Sequence, residues 1–212
     1  MGGVRHHTGR VDFLGSFARD LPVPGLPEIA FVGRSNVGKS SALNTLLRRK
    51  AIARVSGTPG RTQLVNLFDL GGKLVFADLP GYGFAKVPDA VRDAWKPMIE
   101  GYLGSRDDLK LVVVLVDVRR EPQEMDGAML WALTEARIPS LCVATKCDKL
   151  SKQQLSKQLG AIRREFRLPA DQPVAFSALD GRGFDAVWDV IERVAGLTPP
   201  GESGAPDRAQ PT

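Results

Sequence analysis

The stretch GRSNVGKS, Gly33 to Ser40, stands between an apolar run, EIAFV, and a helical pattern over 38 to 49. This is the G-x4-G-K-[ST] spacing in its strand-loop-helix setting, and it commits the chain to a parallel sheet with a helix rising from its first central strand. Glycine lets the loop wrap tightly enough for successive backbone N–H groups to point inward, and the helix N-terminus adds positive potential. Gly33, Arg34, Ser35, Asn36, Val37, Gly38, Lys39 and Ser40 therefore read as a phosphate cradle. Lys39 reaches the β- and γ-phosphates, and the Ser40 hydroxyl sits on Mg²⁺.

The rest of the chain agrees with that beginning. Short apolar runs at 28 to 33, 65 to 70, 73 to 79, 109 to 118, 141 to 146 and 173 to 177 alternate with helical patterns at 38 to 49, 88 to 102, 122 to 136, 151 to 166 and 183 to 195. The fold class expected is α/β: a six-stranded, mostly parallel sheet with one antiparallel strand and helices on both faces. LVVVLV is apolar throughout, as a central strand covered on both faces is. Gly71 and Gly72 read as a tight hairpin and supply the antiparallel strand.

At 212 residues, with 43% hydrophobic and 25% charged residues, the chain has room for one well-buried domain, over 28 to 197. Residues 1 to 27, with the Pro-bounded turns of LPVPGLP, read as an arm laid on the domain and anchored by Phe13, Leu14 and Phe17. Residues 198 to 212, rich in Pro, Gly and Ser, read as a disordered tail. Cys142 and Cys147 are the only cysteines, and two thiols at that spacing build neither a disulfide framework nor a zinc set. No run approaches the roughly 18 apolar residues of a membrane helix, and no basic segment precedes an apolar one at the start. A cytoplasmic protein with no membrane partner is expected.

Two further motifs end apolar strands at the edge where open α/β sheets bind ligands. In ADLPG, Asp78 is placed to hold Mg²⁺ through a water, and the Gly81 N–H to contact the γ-phosphate, with Leu79 and Pro80 between them. In TKCD, Thr145 to Asp148, the Asp148 carboxylate can accept from both N1–H and the 2-amino group of guanine. Adenine offers neither donor, and the mismatch costs several kcal/mol, roughly, in a desolvated pocket. The Lys146 stem can lie over the base, Cys147 is a bystander, and Phe176, Ser177 and Ala178 follow the last strand, with the Ala178 N–H available to guanine O6. The ligands expected are GTP and GDP with Mg²⁺.

GRSNVGKSS, TPGRTQ, DLPGYG, TKCD and FSAL together resemble the nucleotide motifs of the EngB/YihA/YsxC family of bacterial GTPases, over about residues 10 to 197. That resemblance implies a Ras-like fold, GTP hydrolysis, a part in assembly of the large ribosomal subunit and a role in cell division and septation. It also implies that Gly60, Arg61, Thr62, Gln63 and Leu64 border the nucleotide. Thr62 would be the threonine that closes over Mg²⁺; Thr58 lies in the same loop, and spacing does not separate the two.

Many GTPases place a glutamine after the DxxG element to orient the attacking water. Here that slot is Tyr82, which has no amide, so slow intrinsic hydrolysis is expected. Asn36 resembles the asparagine with which some related GTPases bind K⁺ between the phosphates, which would supply part of the missing charge. The alternative is that Asn36 only bonds within the loop. Arg34 occupies a position whose side chain faces away from the phosphates, and Arg61 is better placed to meet a partner.

The net charge is +5, and residues 1 to 60 hold nine Lys and Arg against Asp12, Asp20 and Glu28. Arg48, Arg49 and Lys50 offset the dipole at the end of the first helix. With Arg54 and Arg61 they line an edge that rRNA phosphates could meet, by backbone or shape rather than by base stacking. A monomer that binds a large-subunit precursor is the expected state. A P-loop kinase or ATPase would want an adenine pocket and an arginine-rich lid. A division module without a ribosomal role is the other alternative.

Overall fold

The computed structural model describes residues 10–18, 21–50, 52, 64–82, 99–104 and 106–197. Its strands are β1 (Asp12–Phe17), β2 (Glu28–Gly33), β3 (Val65–Asp69), β4 (Val75–Asp78), β5 (Leu109–Asp117), β6 (Ser140–Thr145) and β7 (Val174–Ala175). Its helices are α1 (Lys39–Leu46), α2 (Glu124–Glu135), α3 (Lys152–Glu165) and α4 (Phe184–Val194). Most of the helix expected over 88 to 102 lies outside the described residues; its end, Ile99–Leu103, is a wide π-helical turn.

The strands form one sheet in the order β1-β3-β4-β2-β5-β6-β7. Neighbours from β4 across to β7 pair in parallel, while β3 pairs antiparallel with both β4 and β1. One strand therefore runs against all the others, as the Gly71-Gly72 signal implied. The turn itself is wider than two residues. It closes on a Leu70 N–H to Leu74 carbonyl bond of 2.8 Å, with Gly71 and Gly72 at φ of 65° and 68° inside it.

The strand count is a correction: among the described residues there are seven, not six. The additional strand is β1, in the segment read as an arm. Its burial does not alternate, its register shifts between Phe13 and Gly15, and Phe13 is 56% exposed. An edge strand of this kind lacks the period-2 apolar signature of a half-buried one.

Alternation along the central strands builds two cores. Ile29 and Phe31 of β2 face α1 and α4, where Leu43, Leu46 and Trp188 pack with Phe76. Ala30 and Val32 face α2 and α3, where Met129, Leu133 and Ile162 meet Val112 and Val114. β2 and β5 are thus covered on both faces, which accounts for their unbroken apolar sequence.

Because β2, β4, β5, β6 and β7 are mutually parallel, Gly33, Asp78, Asp117, Thr145 and Ala175 all end on one edge of the sheet. The order reverses at β2, whose neighbours are β4 on one side and β5 on the other. That crevice is the ligand position of open α/β sheets. Among the described residues no helix is long and apolar enough to cross a membrane.

Candidate functional site

The cradle turns at the end of β2. A Cβ on Gly33 would lie 2.9 Å from both the Leu115 carbonyl oxygen and Val37 Cγ1, so no larger residue fits against β5. Asn36 sits at φ 63° and Gly38 at φ 103°, and the Ala42 N–H bonds to the Gly38 carbonyl as α1 begins. Asn36 is exposed at the crest of the loop. Its backbone carbonyl accepts from Lys146 Nζ at 2.6 Å.

Two neighbouring strands brace this loop. From β6, the Thr145 hydroxyl lies 2.7 Å from the Val37 carbonyl oxygen and 3.0 Å from that of Val116. Lys146, in the left-handed region at φ 62°, runs beside Gly38 and places its ammonium 2.9 Å from Asp117 Oδ2. Burial pushes the Asp117 carboxyl up, but hydrogen bonds from Arg119 and Lys146 outweigh it and hold the group at about 2. Lys146 thus forms a wall reaching from the base pocket to the phosphate loop.

From β4, Asp78 is buried and pairs with Lys39 through Oδ1, while its Oδ2 accepts from Asn66 Nδ2 at 3.2 Å. The chain then passes through Gly81 to Tyr82, which bridges back to the cradle. The Ser35 N–H donates to the Tyr82 carbonyl at 3.0 Å, and the Tyr82 N–H to the Gly33 carbonyl at 3.2 Å. The segment leaving β4 is therefore bonded to the phosphate loop itself.

The Tyr82 side chain points away from that loop. It is 6% exposed, and its hydroxyl donates to Asp126 Oδ1 at 2.9 Å, at the start of α2. Burial raises the Asp126 carboxyl from 3.8 to about 6 against the opposing hydrogen bond from Tyr82 and the nearby Arg34 charge. Burial and the Asp126 carboxylate also raise the Tyr82 phenol. Position 82 is a structural pin, not a water-orienting side chain. Arg34 also turns to this rear side, where its guanidinium donates to Gln123 Oε1 at 2.8 Å. A cleft of about 100 Å³ opens there between the loop and α2.

The base pocket lies on the other flank of Lys146, a hollow of about 250 Å³ lined by Gly38, Thr145, Lys146, Asp148, Phe176 and Ala178. Asp148 is oriented by Ser177, whose hydroxyl donates to Oδ1 at 2.9 Å, while Lys149 lies 3.2 Å from Oδ2. Burial opposes ionisation, but these partners hold the carboxyl below its ordinary range. The Asp148 carboxylate is thus kept charged, an acceptor at the mouth of this hollow. Cys147 and Cys142 are buried, and the Cys147 N–H joins the Phe176 carbonyl at 3.2 Å, tying the two base-pocket segments together.

The structure brings Gly33 to Ser40, Asp78 to Gly81, Thr145 to Asp148 and Phe176 to Ala178 to one edge, with Leu64 leading into β3. Gly60, Arg61, Thr62, Gln63 and the competing Thr58 lie outside the described residues, as do Arg54 and the tail. Helix α1 ends at Leu46, so Arg48 to Lys50 follow it rather than form its last turn. The Arg48 guanidinium stacks over the Phe184 ring at 5.1 Å. Asp117, Asp126, Gln123 and Asn66 did not stand out in the sequence. Only Asp117 carried a signal, as an acid ending a wholly apolar strand.

Fold and site together define a Ras-like P-loop GTPase. A family model described as "50S ribosome-binding GTPase" matches residues 28–146. The chain is 54% identical over 171 residues to "Probable GTP-binding protein EngB" of Geobacter metallireducens, covering 81% of this chain and 84% of that one. The protein of the same description from Geobacter sulfurreducens is 50% identical over 194 residues, covering 91% and 94%. The chain belongs to the EngB family of GTP-binding proteins. Among solved structures, one of "a probable GTP-binding protein engB" superposes with a TM-score of 0.64 at 23% identity, covering 81% of this chain and all of that one. Aquifex aeolicus Era superposes at 0.58 with 21% identity, covering 84% and 58%. These last two likenesses speak to the fold.

Proposed function

We propose that the chain is a slow GTP-operated switch whose GTP form binds a precursor of the large ribosomal subunit and whose hydrolysis releases it. The observation that carries this reading is the pair of backbone bonds between Tyr82 and the Gly33 and Ser35 segment. Through them, whatever the Gly81 N–H senses at the γ-phosphate is passed directly to the chain leaving β4. The description of the family model supports the choice of partner. A role in cell division and septation belongs to the same reading, as does a monomeric, cytoplasmic state.

In this reading Lys39 holds the β- and γ-phosphates, the N–H groups of the loop surround them, and Asp148 selects guanine while Ala178 faces its O6. The residues present fit Mg²⁺. Ser40 and Asp78 are hard oxygen donors, and Asp78 Oδ1 already faces a cation, the Lys39 ammonium. One carboxylate beside phosphate oxygens is an ordinary magnesium setting. When bound, the metal neutralises charge on the β- and γ-phosphate oxygens. Thr62, or Thr58 in its place, completes the set, and the exposed Asn36 side chain is the K⁺ candidate.

The test is sedimentation of the protein with large-subunit precursors in the presence of a non-hydrolysable GTP analogue or GDP. Co-sedimentation with the analogue and not with GDP is expected. Equal binding in both states removes the switching mechanism.

A further inference from the structure

We propose that Asn66, oriented by Ser16, is a positioning residue for the Asp78 carboxylate and thereby for magnesium at this site; the inference rests on the metal role given to Asp78 above. Ser16, Asn66 and Asp78 stand side by side across three strands: Ser16 is the register partner of Asn66 in the β1–β3 ladder, and Asn66 that of Asp78 in the β3–β4 ladder. Directly opposed residues share a face of the sheet, so the three side chains form one row. The Ser16 hydroxyl lies 2.6 Å from Asn66 Oδ1, and Asn66 Nδ2 lies 3.2 Å from Asp78 Oδ2. Lys39 occupies the remaining oxygen, Oδ1.

Chemistry fixes the direction of the row. A carboxylate only accepts, so the amide edge that faces Asp78 must be the NH₂ group, and the carbonyl then faces Ser16, whose hydroxyl must donate. Asp78 therefore selects the amide orientation, since the flipped amide would set oxygen against oxygen there, and the Ser16 hydroxyl, free to donate, holds the carbonyl end of the amide in place. With Oδ2 held, the carboxylate cannot rotate freely, and Oδ1 stays turned to the cation side. Groups that orient the side chains around a metal, here a carboxylate that reaches it through a water, typically change its affinity by about 10- to 100-fold when mutated. β1, at the edge of the sheet, thus reaches the magnesium side of the site through a single intervening residue.

The experiment follows release of a fluorescent GDP analogue over a series of Mg²⁺ concentrations, and in EDTA, for the full chain and its N66A, S16A and D78A variants. N66A is expected to raise the Mg²⁺ concentration that half-protects bound nucleotide by about tenfold. S16A, an exposed substitution that leaves the core intact, should raise it by about threefold, and release in EDTA should stay at the wild-type rate for both. D78A is expected to raise it at least as far as N66A. A wild-type midpoint for N66A and S16A beside a raised one for D78A overturns the role of Asn66 while leaving the reading of Asp78 in place. A wild-type midpoint for D78A overturns both. Faster release by N66A in EDTA and Mg²⁺ alike shows a merely structural residue, and also overturns the proposal.

Discussion

The Tyr82 hydroxyl donates to the buried carboxylate of Asp126 at 2.9 Å, fastening the chain that leaves β4 to the first turn of α2. The two residues are 44 positions apart, and the bond ties position 82 to α2 on the far side of the sheet from α1. A glutamine introduced at position 82 would point the same way. Tyr82→Gln is therefore expected to leave GTP hydrolysis no faster than wild type, while costing about 2 to 4 kcal/mol of stability for the lost aromatic packing. Single-turnover hydrolysis and urea unfolding check both halves. Tyr82→Phe, which removes only the hydroxyl, should cost about 1 to 2 kcal/mol.

Asp126 gives the stability a pH dependence of definite sign. Burial raises its folded value from 3.8 to about 6, so between those limits the folded protein keeps a proton that the unfolded chain has released. Its contribution is fully present below about pH 4, falls as pH rises toward 6 and is flat beyond. Asp126→Asn removes the titration, and the stability difference between variant and wild type should move in the variant's favour by about 2 to 3 kcal/mol from pH 4 to pH 7. Paired denaturant curves across that range measure it, with the other carboxylates cancelling in the difference.

In the proposed reading, base choice rests on a carboxylate that Ser177 holds in place. Asp148→Asn should shift preference from guanosine toward xanthosine nucleotides, read by competition against labelled GDP. Ser177→Ala should keep the preference but weaken GDP binding by about tenfold, because the carboxylate loses a charge-assisted hydrogen bond that orients it.

Hydrolysis is expected to run faster in K⁺ than in Na⁺ at equal ionic strength, and Asn36→Ala should abolish the difference. A cation between the phosphates acts where an arginine otherwise does, an effect of about 10³-fold or more when fully developed. Phosphate release in the two salts decides it, and equal rates would leave Asn36 with a role inside the loop alone.

The parts of this protein that were legible in the sequence are those whose geometry is local. Gly33 to Ser40 is contiguous, and its turn is marked by Gly38, which sits at φ 103°. TKCD and FSAL each end a strand, so parallel pairing alone brings Asp148 and Ser177 together. Tyr82 announced that the usual glutamine was missing but not where its ring goes, because Asp126 is supplied by a helix packed across the sheet face. Asn66 gave no sign, since an asparagine in a strand gains meaning only from what lies beside it in register. DFLGSF was misread for a related reason: an edge strand with two exposed apolar residues and a shift in pairing carries no clean alternation.

That strand has a further effect on the chain's behaviour in solution. With β1 in place, the amide row of β3 is occupied, and the outermost margin of the sheet is kinked between Phe13 and Gly15, a poor template for a stranger's backbone. A protein trimmed past Phe17 would present the β3 edge unpaired to its neighbours and is expected to self-associate through that margin.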